Sequence, residues 1–253
     1  MRARLLVVLA FVFFVRPSLA QDAPAPEQEI VVSRAVVPST GQVVGMKGVL
    51  WRSDVAIVND STEPATIVVS PLPLPEAFQM RTLEPGESIL FANVAESLGF
   101  GGGVVPLLVQ TLARRSVTVF ATAYGITEGR LTPTIILPVL YGDLPSSVQL
   151  LRGLAMNEAV RTNVGLINLG ADPATLTLAL QRLEGRPIAA LTVMVPPEGS
   201  YHVPLNELFP LVGEADDVML VVDSPAPRTF AYAVVLSNAN HAGTFVVPVA
   251  MPR

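Results

Sequence analysis

The chain has 253 residues, of which 51% are hydrophobic and 15% are charged, and its formal net charge is −5. An acidic chain whose single lysine is Lys47 is a poor partner for nucleic-acid phosphates or anionic lipid. The absence of cysteine excludes disulfides, thiol catalysis and cysteine-ligated metals. The high apolar fraction predicts either an interface with protein, self or other, or apolar residues that fill two cores and their strand faces.

The first 20 residues predict a secretory signal peptide. A basic start precedes an apolar run from Leu5 to Val15, and Ser18-Leu19-Ala20 stands before Gln21. About eleven apolar residues are too few for a bilayer, which needs roughly twenty, although an uncleaved anchor is the alternative. Residues 21–28 are polar and proline-bearing and predict a disordered lead-in. We therefore expect a secreted or periplasmic protein with no membrane span after signal cleavage.

A repeat organises the remainder of the chain. Residues 52–66 match residues 161–175 at a constant shift of 109, with six identities in fifteen positions. The identical pairs are Arg52/Arg161, Val55/Val164, Asn59/Asn168, Pro64/Pro173, Ala65/Ala174 and Thr66/Thr175. At a shift of 110, Phe120–Ala123 meets Phe230–Ala233 and Pro138 meets Pro248. The repeat predicts two similar domains, residues 29–140 and 149–253, joined by a linker over 140–149.

Short alternating segments between turn residues predict strands in both domains. In the first domain we expect strands at 30–37 (ending at Pro38), 52–59, 66–69, 78–83, 88–92, 104–110 and 117–124. In the second we expect strands at 161–168, 175–180, 188–195, 200–203, 218–223 and 229–236. Helical turns are expected only at 93–98 and 206–209. This pattern predicts an all-β protein with two tandem immunoglobulin-like antiparallel β-sandwich domains after the signal peptide.

The repeated segments also predict which side chains face the core. Strands 52–59 and 66–69 are expected to form a hairpin, as are 161–168 and 175–180, with Pro64 and Pro173 where each second strand begins. The residues expected to face inward are Val55, Ile57, Ile67, Val69, Val164, Leu166, Leu176 and Leu178.

The repeat distinguishes folding residues from single-site residues, because only the former need to recur. Arg52 and Asp54 share a strand face and could form an ion pair, but the second copy has Arg161 with neutral Asn163, which favours a structural role. Asn59 and Asn168 are expected to bond the backbone of the following turn. The structural repeat positions are therefore Arg52, Asp54, Asn59, Pro64, Pro138, Arg161, Asn163, Asn168, Pro173 and Pro248.

Other residues suggest chemistry only weakly. Asp54, Asp60 and Glu63 could suggest calcium, but their counterparts are Asn163, Leu169 and Asp172. His202 and His241 lack metalloprotease spacing, and the sequence has no Gly-x-Ser-x-Gly elbow. The glycine-rich segment 99–103 lacks the Gly-Lys-[Ser/Thr] ending of a phosphate loop and predicts a flexible connection. We expect no enzyme, no cofactor and no metal.

Aromatic residues leave open a carbohydrate-binding surface. Trp51, Phe78, Phe100 and Tyr141 could make a stacking platform for sugars, although isolated aromatic residues in β-sandwiches more often pack in the core or at an edge.

The run Gly45-x-x-Gly48-x-x-Trp51-Arg52-Ser53-Asp54 resembles repeat modules of exported bacterial proteins, which often occur in tandem. The resemblance covers most of the chain and implies fold and location but no activity; the second copy has Glu158-Ala159-Val160 in place of the tryptophan. The expected function is an exported, non-enzymatic structural or protein-binding module at the cell surface or in the periplasm. The alternatives are a periplasmic two-domain immunoglobulin-like assembly chaperone and a carbohydrate-binding module.

Overall fold

A computed structural model describes residues 33–74, 76–112, 117–141 and 148–251. The predicted signal peptide and lead-in lie outside these described residues. The described chain is mostly β-strand in antiparallel sheets, and it belongs to one compact unit, Val31–Arg253. We call residues up to 141 the first half and residues from 148 the second half.

The described part of the first half contains strands β1 to β10, a 3-10 turn at Met46–Gly48 and helix α1 at Val94–Leu98. Its strands are β1 (Ser33–Val44), β2 (Leu50–Asn59), β3 (Ala65–Pro71), β4 (Gln79–Leu83), β5 (Ser88–Phe91), β6 (Gly103–Thr111), β7 (Val117–Thr127), β8 (Arg130–Leu131), β9 (Ile135–Leu137) and β10 (Leu140–Tyr141).

The described part of the second half contains strands β11 to β19 and helix α2 at Leu205–Leu208. Its strands are β11 (Val148–Met156), β12 (Val160–Asn168), β13 (Ala174–Arg182), β14 (Pro187–Val195), β15 (Gly199–Pro204), β16 (Ala215–Asp223), β17 (Thr229–Ser237), β18 (Gly243–Val246) and β19 (Val249–Met251).

The two halves pair their strands in the same order. The second half has one sheet ordered β14-β13-β16-β11-β19 and another ordered β15-β12-β17-β18. In the first half β4-β3-β6-β1-β10 and β5-β2-β7-β9 follow the same sequence, and the end of β1 also pairs with β2, so that both groups belong to one sheet. Each half is thus sandwich-like, with two groups of strands around a shared apolar core.

A β-bulge interrupts the first strand of each half at the same place. The pairing of β1 with β6 shifts between Val37 and Thr40, and that of β11 with β16 shifts between Leu151 and Leu154. The prediction that the first strand ends at Pro38 is wrong, because β1 continues to Val44. Pro38 lies in the bulge, where its missing N–H breaks no regular ladder bond.

The hairpins predicted for residues 52–59 with 66–69 and for residues 161–168 with 175–180 are both wrong, although all four strands form. In the second half, β12 pairs with β15 and β17, whereas β13 pairs with β14 and β16. In the ladders that the structure describes, β2 pairs with β1, β5 and β7, whereas β3 pairs with β4 and β6. The turn between β2 and β3 therefore crosses from one group of strands to the other. An alternating pattern identifies the inward face of a strand but not its hydrogen-bonded neighbour.

The predicted linker over 140–149 is shorter than expected. Leu140–Tyr141 forms β10, and β11 begins at Val148, a strand that the sequence patterns did not predict. Residues 142–147 lie outside the described part of the chain.

The predicted inward residues of β2, β3, β12 and β13 are all buried, which confirms the alternation. Each of the eight is 0% exposed; they are Val55, Ile57, Ile67, Val69, Val164, Leu166, Leu176 and Leu178. Thr175 and Thr177 on the opposite face of β13 are exposed.

The two hydrophobic clusters are not divided at the boundary between the halves. One cluster consists of residues of the second half only. The other contains the core of the first half together with five residues of β12 and β17: Ile167, Phe230, Tyr232, Val234 and Leu236. Strand β17 therefore contributes to both clusters, with Ala231 and Ala233 facing the second-half cluster.

Among the described residues, no helix has the length and apolar character needed to cross a membrane.

The burial of β13 predicts an asymmetric response to truncation. Leu176→Ala or Leu178→Ala should lower the free energy of unfolding by about 2–5 kcal/mol, because each leaves a cavity in a closed core. Thr175→Ala and Thr177→Ala should cost well under that, because both side chains face solvent. Urea unfolding of the four variants measures the difference, and equal losses would contradict a strand with one buried face.

Candidate functional site

The side chain of Asn59 forms hydrogen bonds to two separate backbone segments at one end of the first half. Its side-chain Nδ2 donates to the carbonyl oxygens of Glu63 and Leu83, both at 2.9 Å, and its Oδ1 accepts from the backbone N–H of Ser61 at 3.0 Å. The side chain is fully buried. It therefore connects the turn after β2 to the end of β4, which includes the turn bond expected from the sequence.

Asn168 makes the same set of contacts in the second half. Its Nδ2 donates to Asp172 O at 2.7 Å and to Val195 O at 3.3 Å, and its Oδ1 accepts from Gly170 N at 2.8 Å. Both asparagines satisfy backbone groups that burial would otherwise leave unpaired. Their role in the structure is to hold the turns.

Asp54 contacts a helix start. Its Oδ1 accepts from the backbone N–H of Asn93 at 2.7 Å and from the hydroxyl of Tyr124 at 3.3 Å. Asn93 Nδ2 in turn donates to Gln42 Oε1 at 2.7 Å. Burial and the Asp54 carboxylate raise the pKa of the Tyr124 hydroxyl. Asp54 thus anchors the residue before α1, and the Nε of Arg52 is buried without a hydrogen-bond partner among the described residues.

Arg161 has different partners from Arg52. Its Nη1 donates to Asn238 Oδ1 at 2.8 Å, and its Nη2 lies 3.4 Å from Nδ1 of His241. Burial lowers the pKa of Arg161, and burial with the charge of Arg161 lowers the pKa of His241. Asn163, the counterpart of Asp54, lies opposite Pro204 and Val234 in the ladders.

The four repeated prolines lie outside regular strands. Pro64 and Pro173 are exposed and immediately precede β3 and β13, as expected. Pro138 follows β9, and Pro248 lies between β18 and β19.

Pro138 and Pro248 do not occupy equivalent positions in the ladders of the two halves, but differ by one residue. Ala121 lies opposite Leu137, whereas Ala233 lies opposite Val246. Pro138 directly follows Leu137, but Pro248 stands two residues after Val246.

The residues considered for calcium do not form a described metal cluster. Asp60 accepts a hydrogen bond from Thr118 at 2.8 Å, and Asp54 is engaged with Asn93. Within the described ranges, no group of three or more acidic or histidine side chains could hold a metal ion.

The aromatic residues considered for a sugar-stacking platform, as the alternative to core or edge packing, differ in burial. Phe100 is buried in the first cluster, Trp51 is half-buried against it, and Phe78 is exposed. The side chain of Tyr141 lies outside the described residues.

An open cleft of about 1250 Å³ lies between the halves. Both repeated arginines, Arg52 and Arg161, line it, together with the glutamates Glu158, Glu207 and Glu214. Lys47 donates a hydrogen bond across the boundary to Asn238 O at 2.9 Å. The cleft is therefore mixed in charge, with more acidic than basic residues among its charged lining.

The outward face of β12 and β17 is covered by the first half. Tyr232 is 1% exposed, belongs to the first-half cluster and stacks on Phe245 with ring centroids 4.8 Å apart. Gly165 lies opposite Tyr232 in the ladder, and a Cβ at position 165 would lie 1.9 Å from the Tyr232 ring. Glycine at this position therefore gives the tyrosine ring its space.

A buried hydrogen-bonded group links this face to the first half. The hydroxyl of Tyr232 lies 3.1 Å from Nδ1 of His202. The Ser39 side chain of β1 lowers the pKa of this hydroxyl, against the larger effect of burial. Burial lowers the pKa of His202 to about 4 and raises the pKa of Tyr232. His202 is therefore neutral at neutral pH and holds the interface as an uncharged partner.

The equivalent face of the first half carries exposed apolar side chains beside Asp54, Thr118 and Thr122. Val55 lies opposite Phe91 and Ala121, as Val164 lies opposite Val203 and Ala233. This register matches four outward positions of the first half to four of the second. The matched pairs are Leu90 with His202, Ala56 with Gly165, Phe120 with Tyr232 and Ile136 with Phe245.

Three of the first-half positions are strongly exposed. Leu90 is 63% exposed, Phe120 58% and Ile136 78%. Leu90 and Phe120 flank Ala56 directly across the sheet, and Ile136 lies opposite Thr122, the next outward residue of β7. We name Ala56, Leu90, Phe120 and Ile136 the apolar face.

The ladder differs by two residues from the sequence alignment of β7 with β17. A shift of 110 places Phe120 on Phe230, whereas the pairing with β2 and β12 places it on Tyr232. An offset of two keeps every side chain on the same side of its strand, so the alternating pattern could not detect it. The sequence analysis also missed the apolar face, for a second reason: sequence alone does not separate an exposed outward residue from a covered one.

No protein-family model matches the chain, and no curated protein matches it. The resemblance to tandem repeat modules of exported bacterial proteins therefore stays a prediction.

Close packing at Gly165 predicts a large effect of a single methyl group. Gly165→Ala should lower the free energy of unfolding by about 1–3 kcal/mol, because the Tyr232 ring must move. The matched control is Ala56→Gly at the equivalent position, where the loss expected is at most about 1 kcal/mol from strand propensity. Urea unfolding measures both, and an unchanged midpoint for Gly165→Ala would contradict the contact.

The partly buried His202 predicts a loss of stability in acid. Burial lowers the pKa of His202 from its ordinary value of 6.5 to about 4, so the unfolded chain binds the proton more readily as the pH falls below 6.5. The free energy of unfolding should fall by about 1.5 kcal/mol between pH 6.5 and pH 5 from this group.

His202→Leu should remove that pH dependence, because leucine has no titratable group. Leucine is chosen because it occupies the equivalent position 90 in the first half. His241 is present in both proteins and cancels in their difference. Parallel curves of unfolding free energy against pH for the variant and the parent chain over this range would contradict a neutral His202 in the folded chain.

Proposed function

We propose that the protein is an exported, non-enzymatic structural or protein-binding module of the cell surface or periplasm, built from two repeated immunoglobulin-like sandwiches. The shared pairing order of the two halves supports the repeat. The paired contacts of Asn59 and Asn168 and the bulge in the first strand of each half also support it. A repeat of this kind accounts for the fold, so the function is expected to depend on surfaces at which the two copies differ.

The observation that carries the binding role is the apolar face. Three large hydrophobic side chains lie exposed on β5, β7 and β9 of one sheet surface, whereas scattered single hydrophobics would need no explanation. The covered equivalent in the second half indicates that this surface is suited to protein contact. A sheet face of this kind favours a flat protein partner over a small ligand, which requires a concave pocket.

The two alternative functions receive less support from the described residues. A two-domain immunoglobulin-like assembly chaperone has a basic cleft, whereas the cleft in this chain carries three glutamates beside two arginines. A carbohydrate platform needs exposed coplanar aromatic rings, and of the aromatics suggested for it Phe100 is buried.

Site-specific photocrosslinking in the exporting cell tests the proposal. A photoreactive phenylalanine replaces Phe120, and a matched variant carries it at Thr177, which is exposed on the outward face of β13. We expect the protein in the secreted or periplasmic fraction, with the molecular mass of a chain whose first residue is Gln21. We expect crosslinks to protein from position 120 but not from position 177.

Retention of the protein in the cytoplasm with an intact Met1 would overturn the export part of the proposal. Equal crosslinking from positions 120 and 177, or none from either, would overturn the binding role of the apolar face.

A further inference from the structure

We propose that His241 is a pH-sensitive switch at one end of the boundary between the halves. In its neutral form it supports the contact between the β1–β2 turn and the β17–β18 turn, and in its protonated form it releases that contact. The inference does not depend on the binding role of the apolar face. It is carried by a hydrogen-bonded junction of four residues, Lys47, Arg161, Asn238 and His241.

Asn238, in the turn between β17 and β18, is the centre of this junction. Its backbone oxygen accepts from Nζ of Lys47 at 2.9 Å, and this hydrogen bond crosses from the first half to the second. Its side-chain Oδ1 accepts from Nη1 of Arg161 at 2.8 Å, and its Nδ2 donates to the backbone oxygen of Glu158 at 3.0 Å. Arg161 therefore helps to fix the residue to whose carbonyl Lys47 is bound.

The geometry determines where His241 carries its proton. Nη2 of Arg161 lies 3.4 Å from Nδ1 of His241. A guanidinium group has five N–H donors and no acceptor, so Nδ1 must present its lone pair and the proton of the neutral ring is on Nε2. A second proton, on Nδ1, would set two donors and two positive charges against each other. Arg161 and a protonated His241 are therefore incompatible with this contact.

The charges around His241 oppose its protonation. Burial lowers the pKa of His241, and the positive charges of Arg161 on β12 and Lys47 in the β1–β2 turn lower it further. Glu158, in the turn between β11 and β12, meets Asn238 through its backbone oxygen, and its side chain is exposed. The other residues of segment 237–242 carry no charge. A proton on the ring would therefore add a third positive charge to a junction that already has two.

Acid should therefore favour the released state. A free histidine takes up its proton near pH 6.5, whereas the intact junction lowers the pKa of His241 below that value. As the pH falls below 6.5, the released state binds the proton more readily, and the equilibrium shifts toward it.

The expected movement is confined to this end of the boundary. The cluster that contains Tyr232 and Leu236 together with the first-half core does not include the junction, so it continues to join the halves. Val44 and Met46, on either side of Gly45, are already 67% and 57% exposed, so this turn can move without uncovering a core. Met46, Arg161 and Asn238 also line the cleft, so the switch changes the cleft at this end.

A distance measurement across the junction tests the switch, and the chain contains no cysteine that would interfere with labelling. Spin labels are attached to Met46→Cys and Ala239→Cys, both at exposed positions, in the chain lacking residues 1–20. Pulsed electron paramagnetic resonance should show a short-distance population at about pH 8. Most of that population should be lost at about pH 5, in favour of longer distances.

Two substitutions at position 241 separate the switch from other effects of acid. His241→Asn keeps an acceptor near the place of Nδ1 without a titratable group, and asparagine tolerates the φ of 60° at this position. Its short distance should persist at both pH values. His241→Lys places a fixed positive charge beside Arg161 and should show the longer distance already at about pH 8.

His202→Leu is the matched control, because it removes the other histidine of the chain and retains the junction. It should lengthen the distance in acid as the parent chain does. An unchanged distance in the parent chain between the two pH values would overturn the switch. Lengthening in His241→Asn as large as in the parent chain, or its loss in His202→Leu, would also overturn it.

Two further measurements keep the test decisive. Circular dichroism checks that each protein is folded at about pH 5. If the parent chain is unfolded there, His241→Asn and His241→Lys are compared at about pH 8, where equal distances would overturn the switch. Nitrogen-15 NMR of the ring should place the proton of neutral His241 on Nε2, and a proton on Nδ1 would contradict the contact with Arg161.

Discussion

The structure depends on strand β17 having two buried faces. Alternate residues point to opposite sides of a strand, so Ala231 and Ala233 fill the second-half core while Tyr232 and Val234 enter the first-half cluster. Small residues face one side and large residues the other, which lets two cores share one strand. The halves are consequently held by buried side chains, and Gly165 provides the space that the largest of these needs.

The sequence predicts well what each half needs for itself. Val55 and Val164 are identical and equally buried, because a strand between solvent and core shows directly as a period of two. Asn59 and Asn168 are identical because a buried turn has backbone groups that only a short amide side chain can reach. These residues recur because the same local physical problem recurs in both copies.

What the sequence does not predict is what lies beside each strand. The turn after Asn59 resembles a hairpin turn, yet it crosses between groups of strands, since turn chemistry does not specify the partner strand. Phe120 aligns with Phe230 in sequence but with Tyr232 in the ladder, since a slip of two residues preserves every inward position. The cleft residues Arg52 and Arg161 are likewise identical in sequence, but their hydrogen-bond environments differ.

The outward-facing residues at equivalent positions of the two halves differ in chemical type, in line with what each half contacts. His202, Gly165 and Tyr232 form a hydrogen-bonded, closely packed set that matches one covering surface, and none of the three residue types recurs at the equivalent first-half positions. A buried hydroxyl and a partly buried imidazole require partners that a fixed intramolecular contact can supply. Leu90, Ala56 and Phe120 carry no side-chain group that needs such a partner. The difference between the two faces therefore follows from what each half contacts within the chain: the second-half positions face the first half, whereas Leu90 and Phe120 remain exposed among the described residues.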